Sequence, residues 1–91
     1  MSTIELKRDH ALGLKKAKVA AQRVADEMER EFGMTSEWDG NVLRFTRSGV
    51  SGELMVTKSH VELNAKLGFL LSAFRGRIEE QIHRNFDEYF G

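Results

Sequence analysis

The chain has 91 residues, of which 41% are apolar and 31% charged, a balance typical of a small globular domain and not of a disordered segment. Its 14 basic and 14 acidic side chains cancel, so there is no global charge to attract nucleic acid or anionic lipid. The absence of cysteine excludes disulfides, thiolate metal sites and a cysteine nucleophile. We expect one domain spanning residues 1–91.

The N-terminal segment carries charged residues where a signal peptide needs its apolar centre. No apolar run approaches the roughly 18 residues that a membrane span requires. These two observations predict a cytoplasmic protein without a membrane span.

The first third of the chain predicts a strand followed by a long helix. Residues 3–8 alternate, with Ile4 and Leu6 on one side, as expected of a short edge strand. Asp9 is the predicted N-cap of a helix that continues to Phe32, and Gly33 is its predicted left-handed C-cap. The predicted buried stripe of this helix, rich in alanine, consists of Leu14, Ala17, Ala21, Val24, Met28 and Phe32.

The middle of the chain predicts a β-meander. Residues 35–38 and 41–48 flank Asp39-Gly40, a dipeptide typical of a type I′ hairpin turn, with Leu43 and Phe45 facing the core. Residues 49–52 are the predicted next reversal, followed by a strand over residues 53–57 and a turn at Lys58-Ser59. Residues 60–67 then alternate between polar and apolar side chains, which predicts a sheet with one apolar and one solvated face.

The densest apolar run extends from Lys66 to Ile78 and predicts the connection between the sheet and a second helix. Phe74, Ile78, Ile82 and Phe86 recur every four residues, which predicts one apolar helical face continuing to Phe90. The predicted fold is therefore α+β and two-layered, with element order β-α-β-β-β-β-α. An antiparallel sheet of four or five strands would carry both helices on one face.

No sequence motif indicates catalysis or a cofactor. There is no Gly-x-Ser-x-Gly elbow, and residues 48–52 lack the helix start and the lysine of a phosphate-binding loop. His83 lies four residues from Glu79 and from Asp87, a spacing that more often supports an exposed helix than binds a metal. Acidic neighbours offset the basic residues of both helices, which argues against nucleic-acid binding. We expect a protein that is not an enzyme and that has no cofactor or metal.

The apolar run contains more large side chains than one helix needs to cover a sheet. Either the run packs between the first helix and the sheet, which is the favoured alternative, or part of it remains exposed as a contact surface that two arginines rim. The predicted surface consists of Leu67, Phe69, Leu70, Leu71, Phe74, Arg75 and Arg77.

Several segments together resemble the small bacterial polyhydroxyalkanoic acid system proteins. They are residues 9–13 (DHALG), the hairpin 38–45 (WDGNVLRF), residues 47–52 (RSGVSG), residues 66–71 (KLGFLL) and residues 75–79 (RGRIE). The resemblance extends over almost the whole chain. It implies a role linked to polyhydroxyalkanoate synthesis or granules, and it brings no catalytic residues.

Three hypotheses follow for the function. In the first, a non-catalytic accessory protein meets a polyhydroxyalkanoate granule surface or a granule protein through residues 67–74. In the second, the same apolar surplus forms the interface of a small homo-oligomer with a structural or regulatory role. The third is a ligand pocket between helix and sheet, which needs inward polar groups such as His60 or Arg47; strand alternation places His60 outward and Arg47 inward.

Overall fold

The computed structural model describes residues 2–90, without the side chains of Ser2, Phe69 and Leu70. Within these residues the chain forms five strands, two α-helices and a 3-10 helix, in the predicted order. Their bounds are β1 (Ser2–Asp9), α1 (Gly13–Phe32), β2 (Thr35–Asp39), β3 (Val42–Arg47), β4 (Val50–Val56), β5 (His60–Leu67), the 3-10 helix (Phe69–Phe74) and α2 (Arg75–Phe90).

The five strands form one antiparallel sheet in the order β1-β5-β4-β3-β2. Strands β2 to β5 are a meander, and β1 adds to the open side of β5, with Ile4 opposite Ala65 and Leu6 opposite Leu63. The predicted position of β1 at an edge is confirmed. The predicted α+β class, with both helices on the apolar face, is confirmed as well.

The core lies between this sheet face and the two helices. Strand β5 alternates as predicted, with Val61, Leu63, Ala65 and Leu67 buried. Helix α1 contributes mainly alanines, so its axis approaches the sheet closely, and α2 contributes larger side chains. The buried helical residues are Ala17, Ala20, Ala21, Val24, Ala25 and Met28 of α1, with Ile78, Ile82, Phe86 and Phe90 of α2. The helix periodicity therefore predicted most of the buried helical residues, but two of the residues that it marked are exposed, Leu14 at 37% and Phe74 at 50%.

The start of α1 differs from the prediction. Asp9 is not an N-cap, because the pairing of β1 with β5 continues through Asp9 opposite His60 and keeps the backbone extended. The helix begins only at Gly13, without a side-chain cap. Instead His10 Nδ1 accepts a hydrogen bond from the backbone N–H of Leu12, and His10 Nε2 donates to the Thr57 carbonyl at 3.0 Å.

Two turns also differ in detail. Asp39 pairs with Val42, so the β2–β3 turn consists of Gly40 and Asn41. Among the described residues only glycines have positive φ, and Gly40 is one of them. A positive φ at the first central position alone is typical of a type II′ turn, so the predicted type I′ is wrong.

The next predicted reversal, residues 49–52, is too long. Arg47 pairs with Val50, which restricts the turn to Ser48 and Gly49 and places Gly52 inside β4. Gly52 lies opposite Phe45, whose ring occupies the place of a side chain there: a Cβ at position 52 would lie 2.5 Å from Phe45 Cε2. Glycine at position 52 therefore makes room for a core ring and is not part of a turn.

Candidate contact surface

A groove opens where the C-terminal end of α1, the β3–β4 hairpin and the 3-10 helix meet, and its volume is about 320 Å³. We call it the Phe74 groove. Its apolar lining consists of Phe32, Met34, Val50, Leu71, Phe74 and Ile78. Its charged lining consists of Glu31, Arg47 and Arg77.

The α1 side of the groove is set by how that helix ends. Gly33, at φ 67°, is the left-handed C-cap, and its N–H donates to the Glu29 carbonyl, as the sequence predicted. The chain then turns and buries Met34 at the groove. Arg47 Nη1 donates to the carbonyl of Phe32, one of the helix-end acceptors that lack a partner within the helix. Arg47 thus fixes the end of α1 against the end of β3.

The opposite side of the groove is set by a close approach of two glycines. Gly68 N donates to the Gly49 carbonyl at 2.6 Å, which ties the end of β5 to the β3–β4 turn. A Cβ at Gly49 would lie 3.4 Å from Leu71 Cδ1, so the Leu71 side chain lies directly against this turn. The 3-10 helix is held over the hairpin in this way, and Phe74 projects from its last position.

The predicted contact residues differ in how far the structure buries them. Leu67 has no exposed surface and belongs to the core, because it ends the inward-facing row of β5; its place in the contact surface was wrong. Leu71 is half-buried against the core, and Phe74 is 50% exposed at the groove. The side chains of Phe69 and Leu70 lie outside the described residues.

The two predicted rim arginines separate in the structure. Arg77 lines the Phe74 groove. Arg75 turns towards β1 instead, where its Nε donates to the Thr3 carbonyl at 3.3 Å and its Nη2 lies 3.8 Å from Glu79 Oε2. Only one of the pair is therefore placed beside the exposed apolar side chains.

Phe74 also departs from the predicted apolar helical face. The expected spacing assumed one α-helix through Phe74 and Ile78, but α2 begins at Arg75 and Phe74 ends the 3-10 helix. A 3-10 helix has about three residues per turn, so the direction of Phe74 no longer follows the four-residue pattern of α2. This local change of period leaves a large aromatic ring half exposed.

Several groove residues were not among the predicted contact residues. Phe32, Met34 and Val50 come from segments distant in sequence: Phe32 was predicted as part of the buried stripe of α1, Val50 as part of a turn, and Met34 was not assigned. Arg47 did carry a signal, because its strand parity points inward beside Phe45. The structure brings Arg47, but not His60, to the groove.

A second polar group of residues, which we call the histidine cluster, comprises His10, Thr57 and His60. Thr57 Oγ1 lies 3.1 Å from His60 Nδ1, and His60 Nε2 lies 3.5 Å from Glu62 Oε1, an order reminiscent of a hydroxyl–imidazole–carboxylate triad. The hydroxyl, however, donates to the His60 carbonyl and accepts from the N–H groups of Ser59 and His60. These bonds stabilise the β4–β5 turn and engage the Thr57 hydroxyl, the group that would have to act as the nucleophile of such a triad.

The carboxylates around His83 are engaged elsewhere. Asp87 pairs with Arg8 of β1 at 2.7 Å, and Glu79 lies near Arg75. Within residues 2–90, no group of three or more histidine, aspartate or glutamate side chains is placed to hold a metal ion. The same part of the chain contains no helix long and apolar enough to span a membrane.

Fold and groove together define a small two-layer α+β domain with one mainly apolar groove at an end of its sheet. The model of one family, described as "Putative polyhydroxyalkanoic acid system protein", matches residues 4–90. The match includes nearly the whole chain, and the protein belongs to this family. The family's short name, PHA_gran_rgn, refers to the granule region of the polyhydroxyalkanoate system. Among curated proteins none matches the chain.

Proposed function

We propose that the protein is a non-catalytic, cytoplasmic accessory component of the polyhydroxyalkanoate system that docks reversibly on the polyester granule through the Phe74 groove. The observation that carries this proposal is the half-exposed Phe74, which sits beside a mainly apolar groove in a chain of this family. A polyester surface presents alkyl groups and ester carbonyls. The groove offers apolar side chains for the former and guanidinium donors for the latter.

The expected strength of docking can be estimated from Phe74. A phenylalanine side chain buries on the order of 150–250 Å² when fully covered, so covering its exposed half removes about 100 Å² from water. At about 25 cal/mol per Å² this contributes about 2.5 kcal/mol, or roughly 60-fold in affinity. Leu71 and Phe32, which are only partly buried, would add to it. Association costs offset part of this gain, which favours reversible docking over permanent attachment.

A non-catalytic role is supported by the chemistry of the groove lining. Among the described residues it contains two guanidinium groups and a single carboxylate, Glu31, without a hydroxyl or imidazole beside it to form a nucleophile–base pair. The hydroxyl–imidazole pair of Thr57 and His60 lies in the turn at the start of β5, away from the groove.

The proposal is tested by fractionating polymer-producing cells that express the full chain. We expect the wild-type protein with the granules and Phe74→Ser largely in the soluble fraction, whereas Phe74→Leu should retain most of the association. Met55→Ser is the matched control, because Met55 is 43% exposed but lies on the sheet face away from the helices. It should behave as wild type.

Equal unfolding midpoints for wild type, Phe74→Ser and Met55→Ser would establish that the fold is intact. A wild-type protein found wholly in the soluble fraction contradicts the proposal, and so does a Phe74→Ser variant that stays with the granules. Light scattering distinguishes granule docking from the alternative of a homo-oligomer. A stable homodimer in which Phe74 is protected from solvent would favour an oligomeric role for the same surface.

A further inference from the structure

The Phe74 groove also contains charged side chains, and these differ in whether they form hydrogen bonds with the rest of the fold. Arg47 already donates through Nη1 to the Phe32 carbonyl, which leaves the other donors of its guanidinium fork available. Within residues 2–90, Arg77 has no ion pair or side-chain hydrogen bond, and it lies in the first turn of α2 and lines the groove. The groove therefore holds a guanidinium without a described partner beside apolar side chains.

The charges around the groove favour an anion. Its lining carries two arginines against one carboxylate, Glu31. A shallower recess adjoins it through Arg47 and Val50 and adds Lys66 next to the Gly49–Gly68 contact. By contrast, most other arginines of the helices are paired within their own helix, as Arg30 is with Glu27 and Arg84 with Glu80. Among the described helical arginines, Arg77 therefore differs from Arg30, Arg75 and Arg84 in having no carboxylate partner, and it lines the groove.

The shape restricts the ligand further. A volume of about 320 Å³ lies at the lower end of the range of about 300–1,000 Å³ that is typical of small-molecule sites. Such a groove holds a short acyl chain against Leu71, Phe74 and Ile78. A guanidinium at the rim matches the planar, two-oxygen geometry of a carboxylate better than it matches an ester, which carries no charge.

We propose that the Phe74 groove binds the free carboxylate end of a hydroxyalkanoate chain, with Arg77 pairing the carboxylate, Arg47 assisting it, and the alkyl side group lying on Leu71 and Phe74. The proposal rests on the proposed function and narrows it from a polyester surface to one end of the polyester chain. Granule docking would then be anchored at chain ends and not spread uniformly over the surface.

The test measures binding of 3-hydroxyoctanoate to the purified full chain by NMR titration, with its methyl ester as the uncharged probe. We expect the acid to bind at least tenfold more tightly than the ester, with shifts at the groove residues. Arg77→Gln should abolish that difference and leave ester binding unchanged. Phe74→Ser should weaken both probes. Arg84→Gln, an exposed arginine of the same helix, is the matched control and should change neither.

Each outcome separates the two proposals. If the ester binds as tightly as the acid, or if Arg77→Gln has no effect, carboxylate recognition is wrong, while granule association of the wild type would still support docking through apolar contact. If the acid binds as expected but the protein does not fractionate with granules, the granule proposal fails and the carboxylate site stands. If neither probe shifts the groove residues, the inference is overturned regardless of the fractionation result.

Discussion

The two ends of strand β5 differ in how the side chains around them are used. At its start, His60 lies in the histidine cluster, where side-chain and backbone groups satisfy one another across β1, the β4–β5 turn and the start of α1. At its end, Leu67 leads through Gly68 into the 3-10 helix and the Phe74 groove. There a large aromatic ring is half exposed and Arg77 has no described partner.

The contrast shows which polar side chains stabilise the fold and which do not. In the histidine cluster the bond from His10 Nε2 to the Thr57 carbonyl joins segments that are distant in sequence, and the bonds of Thr57 Oγ1 hold the local β4–β5 turn. Among the described side chains of the groove, Arg47 alone performs such a task, by holding the last turn of α1. Arg77 and the half-exposed Phe74 are therefore available for binding at the groove.

The largest expected effect is at the histidine cluster. His10→Ala removes the acceptor of the Leu12 N–H and the donor to the Thr57 carbonyl, together with the ring that lies 5.8 Å from that of Phe90. With about 1 kcal/mol for each hydrogen bond and a further penalty for partly buried groups left unpaired, the expected loss is about 2–3 kcal/mol of unfolding free energy.

Chemical denaturation measures this loss, and His83→Ala, an exposed histidine of α2, is the control that should stay within about 0.5 kcal/mol of wild type. If the two variants were equally stable, the cluster would not be the structural connector that we describe. Groove binding should persist in His10→Ala wherever the protein remains folded.

The second effect lies in the sheet between the two ends. Gly52→Ala places a methyl group 2.5 Å from Phe45 Cε2 and 3.1 Å from the Asn64 carbonyl, so the Phe45 ring must move within a packed core. Overpacking of this kind costs about 1–3 kcal/mol. Phe45→Leu in the same chain should relieve part of the cost, which a double-mutant cycle measures. Ser51→Ala, on the opposite sheet face, should be nearly neutral; an equally neutral Gly52→Ala would show that the ring moves freely.

Sequence periodicity predicted the element order, the inward rows of β3 and β5 and the stripe of α1, because each depends on local alternation. It failed where a distant partner decides the conformation. Asp9 stays extended because β5 continues beside it, and Gly52 belongs to a strand because Phe45 fills its place.

The candidate site was predictable only in part for the same reason. The apolar surplus pointed to Leu71, Phe74 and Arg77. The groove itself also needs Phe32, Met34 and Val50, which only the packing of α1 against the β3–β4 hairpin brings beside them. The change from a 3-10 helix to α2 at Arg75, which exposes Phe74, left no mark in the four-residue spacing.

A smaller effect separates the two arginines of the groove. Arg47→Ala removes the hydrogen bond to the Phe32 carbonyl and should cost about 1 kcal/mol, with faster hydrogen exchange in the last turn of α1. Arg77→Ala should stay within about 0.5 kcal/mol of wild type and leave that exchange unchanged. Equal losses in the two variants would mean that Arg77 has a structural role, which would remove the distinction between the two ends of β5 on which the proposed carboxylate site depends.

The smallest expected effect concerns Tyr89, which joins the two helices by donating a hydrogen bond to Glu27 Oε1 at 3.4 Å. Partial burial, together with the negative charges of Glu88 and Glu27, raises the pKa of Tyr89 above its ordinary value. The folded state therefore holds the phenol proton more tightly than the unfolded chain does. The associated stability is fully present below the unfolded-state pKa of about 10 and is lost as the pH rises through the folded-state pKa.

Wild type should consequently lose stability above about pH 10 more steeply than Tyr89→Phe, in which this titration is absent. Because Tyr89 is the only tyrosine in the chain, tyrosinate absorbance follows its ionisation directly. Parallel stability profiles for the two proteins, or ionisation at the ordinary pKa, would show that the Tyr89–Glu27 contact does not couple the helices.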